Sequence, residues 1–132
     1  MIAANIGSVE IEVVGDKPEN LSSWLWDYDA RELLEEEKTE DSPHLRKGKR
    51  GFEGALYKTE EFLESHPFGT VPAAFSPDGE IGIFESNSIL RSIARSSKHA
   101  TLYGKSNFEA SRIDSYLGAN LVFAREAQVY LL

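Results

Sequence analysis

The side chains that could carry chemistry are few. Cysteine is absent, which removes a disulfide framework, a thiolate zinc site and a cysteine nucleophile together. His44, His66 and His99 stand apart, without the spacing of a metal-ligand set. Residues 27–41 hold Asp27, Asp29, Glu32, Glu35, Glu36, Glu37, Glu40 and Asp41 against Arg31 and Lys38. The run at 35–37 reads as a solvated helix face rather than a catalytic pair. Arg46, Lys47, Lys49 and Arg50 follow without an acid between them. A basic patch for nucleic acid is one reading, and local pairing with the preceding acids is the other. No phosphate-binding glycine loop and no nucleophile elbow is present. What remains is Glu85-Ser86-Asn87-Ser88, ahead of Ile89, Leu90, Ile93 and Ala94 at helical spacing. Ser86 or Asn87 is a natural N-cap. The unpaired amides of such a first turn, at the positive end of the helix dipole, make an anion site.

Positioning that turn requires a strand before it. Val71, Ala73 and Phe75 alternate with other residues, and Ile81 and Ile83 alternate with Glu80, Gly82 and Phe84. Between them Ser76-Pro77-Asp78-Gly79 has proline second and glycine fourth, the chemistry of a type I turn. The pattern predicts an antiparallel hairpin. Upstream, Thr59 precedes Glu60-Glu61-Phe62-Leu63, a short capped helix broken by His66-Pro67-Phe68-Gly69. Met1 to Asn5 read as the last turn of a helix with Gly7 as its cap. Val9, Ile11 and Val13 alternate with Glu10 and Glu12, which predicts a strand over 9–14 ended by Gly15-Asp16. Leu21, Trp24, Leu25, Tyr28 and Leu33 give a rough helical stripe over 18–38, with Pro18 in the first turn. That stripe packs a core, or Trp24 and Trp26 anchor a partner. The acid block and the basic block after it, broken by Ser42-Pro43 and Gly48, read as a solvated loop. Ser106-Asn107-Phe108-Glu109 is a capping box. It opens a helix that places Ile113, Leu117, Asn120 or Leu121, Ala124 and Leu131 at helical spacing up to Leu132.

The bulk properties agree with one domain of ordinary size. The chain has 132 residues, 41% hydrophobic and 27% charged, with 14 basic and 22 acidic side chains and a net charge of −8. That composition fits a folded, water-soluble chain. An acidic surface repels phosphate backbones, so direct nucleic-acid binding is not expected. No apolar run reaches the length of a membrane span, and no basic segment precedes an apolar signal core. Lack of cysteine suits a reducing compartment.

Phe68-Gly69-Thr70-Val71-Pro72 and Ile83-Phe84-Glu85-Ser86-Asn87-Ser88-Ile89-Leu90 together resemble the N-terminal domain of the glutathione transferase superfamily. That domain is thioredoxin-like, with a G-x-V-P loop, a hairpin and then Glu-Ser at a helix start. Leu102-Tyr103-Gly104, ahead of Ile113-Asp114, resembles the link into the all-helical domain that follows. Within the superfamily the phrases Ile83–Arg91 and Leu102–Gly104 are most similar to the gamma subunits of translation elongation factor one. So are Ile2-Ala3-Ala4-Asn5 and Val9-Glu10-Ile11-Glu12-Val13. The resemblance covers 1–14 and 57–120. Residues 15–56 stand outside it as an enlarged connection.

The resemblance implies an α/β fold: an incomplete thioredoxin-like domain over 1–98, its first strand missing, then a linker and the first helix of a helical domain over 99–132. It implies a cis peptide at Val71–Pro72, with main-chain groups of Val71 pairing with a glutathione cysteinyl unit. Glu85 would take the ligand ammonium and Ser86 its carboxylate. Pro72 and Ser86 also have purely structural uses, as a fold-shaping turn and a helix cap. The residue that activates the thiol in the family has no counterpart here, so no catalytic residue is assigned. The expected role is a non-catalytic interaction module of an elongation-factor gamma-type subunit, in the cytoplasm. It would bind protein partners, with a homodimer allowed, no cofactor required and glutathione as the one ligand in view. The alternatives are a glutathione transferase whose catalytic residue lies elsewhere, or a transferase-like fragment recruited as a structural subunit of a large assembly. On length, the expectation is a fragment, or a subunit completed by a neighbour.

Overall fold

The computed structural model describes residues 1–48, 54–99 and 101–131. Its elements in chain order are α1 (Ile2–Gly7), β1 (Trp24–Trp26), β2 (Arg31–Glu32), β3 (Leu45–Lys47) and β4 (Ala55–Lys58). They continue with α2 (Glu60–Ser65), β5 (Ala73–Phe75), β6 (Gly82–Phe84), α3 (Ser86–Arg95) and α4 (Asn107–Leu131). The fold is mixed α/β, compatible with a partial thioredoxin-like domain plus a helical region. Two compact units divide the chain between Ile11 and Glu12 and again between Ser86 and Asn87.

The unit spanning Glu12–Ser86 holds all the strands among the described residues. Four of them form a sheet in the order β2-β1-β4-β3, and β5 and β6 form a separate antiparallel pair. β1 runs parallel to β4, with Leu25 opposite Tyr57, while β2 and β3 are antiparallel edges. Trp26, Leu33, Tyr57 and Phe62 are buried, and His66 is fully enclosed beside them. The His66 ring stacks on Phe62 at 4.7 Å and meets Phe75 edge-on at 4.6 Å. Its two ring nitrogens face the carbonyls of Phe62 and Ala74, at 3.3 and 3.0 Å. A neutral imidazole has one N–H and donates to one of these two carbonyls, and the ring, packed on both Phe62 and Phe75, ties α2 to β5. Tyr28 links the turn after β1 to the hairpin: its hydroxyl donates to the Pro77 carbonyl at 2.8 Å, and its ring meets Phe75 at 5.5 Å.

Several expectations hold. Thr59 caps α2, its hydroxyl accepting from the Phe62 amide at 3.0 Å. The hairpin pairs Ala73 with Phe84 and Phe75 with Gly82, and its turn is closed by the Gly79 amide donating to Ser76 at 2.9 Å. Others are corrected. The helix over 18–38 is instead a 3₁₀ segment at Pro18–Ser23 followed by β1, β2 and a 3₁₀ turn at Glu35–Glu37. Aromatic and branched residues at 24–26 fit a pleated strand, and pairing with β4 decides the matter. The acid run at 35–37 is therefore not a helix face. The strand over 9–14 does not form: no described strand lies beside it, and an unpaired strand leaves its amides without partners. Val13 and Val14 are exposed as a result. The acid and basic blocks expected as a solvated loop contain β2 and β3, and within the supposed connection over 15–56 lie three of the four sheet strands and the start of the fourth. Lys49 and Arg50 lie outside the described residues.

The other unit combines residues 1–11 with the helices from Asn87 onward. Ser8, not Gly7, ends α1 in the left-handed conformation, at φ 52°. Gly7 is required for a different reason: a Cβ there would stand 2.9 Å from Ser97 Oγ and 3.2 Å from Leu102 Cδ2. Its carbonyl accepts from the Lys98 amide at 3.1 Å. Neither Ser86 nor Asn87 stands at the cap position of α3: Ser86 is its first residue, and the Asn87 side-chain amide donates to the Leu117 carbonyl of α4 at 3.0 Å. Asp114 of α4 accepts from Tyr103 at 2.6 Å and pairs with Arg91 of α3, while the Arg95 guanidinium lies 4.9 Å over the Tyr103 ring. The Tyr103 hydroxyl, then Arg91, hold the Asp114 carboxyl below its usual range. Ser106 caps α4, its hydroxyl accepting from the Glu109 amide at 3.2 Å. The Glu109 carboxylate reaches the Lys105 amide, one residue short of a full capping box.

Candidate functional site

β5 and β6 bring the two quoted motifs to one place. Ala73 pairs with Phe84, so Pro72 and Glu85 lie next in line at the open end of the hairpin. Val71 and Ser86 follow at the same end. The Val71–Pro72 peptide is cis. Neither Thr70 nor Val71 makes a main-chain hydrogen bond to another described residue outside the regular elements. Val71 is 45% exposed. Among the described residues its N–H and C=O thus lack a partner and are open to an extended ligand.

Glu85 carries a backbone signature of its own. Its φ is 69°, in the left-handed region that a side-chain-bearing residue enters at a cost of roughly 1–2 kcal/mol. This turn carries the chain from β6 to Ser86, the first residue of α3, and leaves the Glu85 and Ser86 side chains exposed. A strained non-glycine residue at an exposed turn is typical of sites where a side chain is needed in place.

The loop leading into the site is fixed from behind. The Gly69 amide donates to the His66 carbonyl at 2.7 Å, and the Gly69 carbonyl accepts from Lys58 Nζ at 2.5 Å. Gly69 adopts φ 56°, which favours glycine, and it is buried. Phe68 lies edge-on to Phe84 at 5.6 Å, joining the loop to β6. Lys58 is a contributor that sequence reasoning missed. The signal was slight, a single lysine directly before the Thr59 cap. Burial, and secondarily the Arg46 charge, push its pKa below the ordinary lysine value.

The charged runs sit elsewhere on this unit. Arg31 grips Glu37 through two parallel bonds at 2.6 and 2.7 Å, and the Leu34 amide adds a third at 2.8 Å. The Arg31 bonds, then the Leu34 amide, lower the Glu37 carboxyl to about 2. Arg46 donates to the Pro43 carbonyl at 2.6 Å and pairs with Glu60, which lies outside the preceding acid run, so its partner is not one of the acids at 27–41. Among the described residues no three His, Asp or Glu side chains come together to hold a metal ion. Among the same residues no helix is long and apolar enough to cross a membrane.

Comparison with known proteins follows the branch that the phrases at 83–91 and 102–104 suggest. The chain is 41% identical over 63 residues to elongation factor 1-gamma 2 of Oryza sativa subsp. japonica, covering 48% of this chain and 15% of that protein. It is 38% identical over 64 residues to probable elongation factor 1-gamma 2 of Arabidopsis thaliana, and 39% identical over 64 residues to elongation factor 1-gamma of Prunus avium. Each of these matches likewise covers 48% of this chain and 15% of the relative, so the similarity spans about one seventh of those proteins' length. No protein-family model matches the chain. No solved structure matches it.

Proposed function

We propose that this chain is a non-catalytic, glutathione-transferase-like interaction module of an elongation-factor gamma-type subunit. In this reading it holds protein partners together in cytoplasmic translation elongation, without direct contact to nucleic acid and with self-association allowed. The thioredoxin-like part runs over 1–98 and the helical part begins at 99. The observation that carries the reading is the 36–41% identity, over nearly half of the chain, to proteins named elongation factor 1-gamma. Affinity capture of the tagged protein from its native extract tests it. Recovery of the other elongation-factor-one subunits, at levels that survive nuclease treatment, is expected. Their absence sinks the proposal.

A second reading has its own support: retained glutathione binding at the open end of the hairpin. The main chain at Val71, unpaired among the described residues, and the strained Glu85 favour it. Val71 would pair with the ligand backbone, Glu85 with its ammonium and Ser86 with its carboxylate. Titration calorimetry with glutathione should give a binding isotherm that Ser86→Ala weakens. A flat trace for the parent protein rejects it.

A further inference from the structure

The loop from Gly69 to Pro72 has few internal restraints of its own. Two residues, Thr70 and Val71, separate buried Gly69 from Pro72, and β5 starts immediately beyond, at Ala73. Where the free groups of Val71 point is therefore set by what holds Gly69 on one side and by strand pairing on the other. Gly69 is held by two bonds, from its own amide to His66 and from the Lys58 ammonium to its carbonyl. The fit is close: a Cβ on Gly69 would stand 3.0 Å from Lys58 Nζ and 3.1 Å from Leu63 Cδ2.

Lys58 is an uneconomical way to stabilise a fold. Its side chain is partly buried, and among the described residues no carboxylate pairs with it. A half-buried ammonium facing only a carbonyl loses hydration that one hydrogen bond recovers in part. The neighbouring Arg46 adds repulsion. A methionine of similar length would fill the same space without that penalty. The bond to Gly69 is charge-assisted and directional, and it places the loop.

We infer that Lys58 is a positioning residue for the Gly69–Pro72 loop, acting through the Gly69 carbonyl and not by touching a ligand. The part of this inference that concerns binding rests on the glutathione reading above.

The test uses the full chain and Lys58→Met, with Lys58→Arg as the charge-retaining variant. The first arm needs no ligand. Amide hydrogen exchange at Gly69 should speed up about tenfold in Lys58→Met, as expected for one lost bond of this strength, while the melting temperature holds or rises. Lys58→Arg should restore part of the protection. Unchanged Gly69 exchange in Lys58→Met overturns the inference, and so does a loss of global stability that accounts for the faster exchange. The second arm measures affinity for glutathione and for γ-glutamylcysteine, which lacks the glycyl carboxylate. A positioning role weakens both by the same factor, about tenfold. A loss confined to glutathione means that Lys58 contacts the ligand, and the inference fails. If the parent protein binds neither compound, the glutathione reading falls, and Gly69 exchange alone decides the role of Lys58.

Discussion

The approach of α2 to the hairpin turns on one glycine. Gly82 opens β6, and a Cβ built on it would stand 2.5 Å from the Ser65 carbonyl oxygen and 2.9 Å from the carbonyl carbon behind it. Ordinary contacts begin near 3.4 Å, so Gly82→Ala leaves the pair about 0.9 Å too close. The obstacle is backbone at the C-terminal end of α2, so no rotamer change relieves it. Either α2 withdraws from β6 or β6 shifts in the pair it makes with β5. Overpacking of this kind costs typically 1–3 kcal/mol. The unfolded chain, stiffened by a side chain, returns about 0.4–1 kcal/mol of that. The net expectation is a loss of about 1–2 kcal/mol. Urea unfolding followed by tryptophan fluorescence reads it, because Trp24 and Trp26 both lie in the same compact unit.

Gly118 supplies the opposite case. It lies inside α4 with nothing within 4 Å of a built Cβ. Gly118→Ala should stabilise by about 0.5–1 kcal/mol, through helix propensity and a stiffer unfolded chain. If Gly82→Ala proves neutral or stabilising, the close packing of α2 on β6 is wrong. Gly118 lies in the other unit, so far-ultraviolet circular dichroism at the helix band reads its variant, and if both variants shift their midpoints in the same direction, space around the glycine is not what decides the sign.

The remaining predictions concern Glu85, Glu37 and Thr59. Glu85→Gly should hold or raise stability, by up to about 1 kcal/mol, because glycine relieves the positive φ; under the glutathione reading it should also abolish binding. Calorimetry beside a thermal melt separates the two effects, and a large loss of stability would refute the strain argument. Glu37, held near 2 in the folded chain and ordinary when unfolded, adds stability above the unfolded value that disappears as pH falls through the folded one. The acid-induced drop in melting temperature between about pH 4.5 and 2 should therefore be shallower for Glu37→Gln, and carboxyl NMR of Arg31→Met should show Glu37 titrating higher. Thr59→Ala removes the α2 cap and should cost about 1 kcal/mol by chemical denaturation, with Thr59→Ser restoring most of it.

What the sequence revealed and what it hid divide along the range of the interactions. The hairpin was legible because its turn is local: proline and glycine sit at fixed positions between two alternating runs. The Thr59 cap was legible for the same reason. β1 was not, because Leu21, Trp24, Leu25 and Tyr28 mimic helical spacing. The strand is selected by its pairing with β4, where Leu25 meets Tyr57 thirty-two positions along the chain. The segment at 9–14 errs in the reverse direction: a faultless alternation finds no described strand to pair with. At the candidate site, the residue types at 71–72 and 85–86 were visible as motifs. The strain at Glu85 and the reach of Lys58 to Gly69 were not, since both depend on where the backbone of a distant segment passes.

The hairpin also shows how a turn at one end governs chemistry at the other. Pairing of Phe75 with Gly82 and of Ala73 with Phe84 fixes a single register, and continuing it outward sets Pro72 against Glu85. The turn that enforces this is held by Ser76, whose carbonyl accepts from Gly79 and whose hydroxyl accepts from the Ile81 amide at 3.0 Å. Adding one residue between Asp78 and Gly79 would move the register by one place. Side chains alternate across a strand, so a one-residue slip sends the β6 residues to the opposite face and pairs Pro72 with Phe84. The slip would also carry Gly82 away from Ser65, where only glycine fits. The insertion should therefore lose stability and displace Glu85 from Val71–Pro72 together. Chemical shifts of Thr70 and Val71 that stay at their parent values would show that the loop is placed independently of the hairpin.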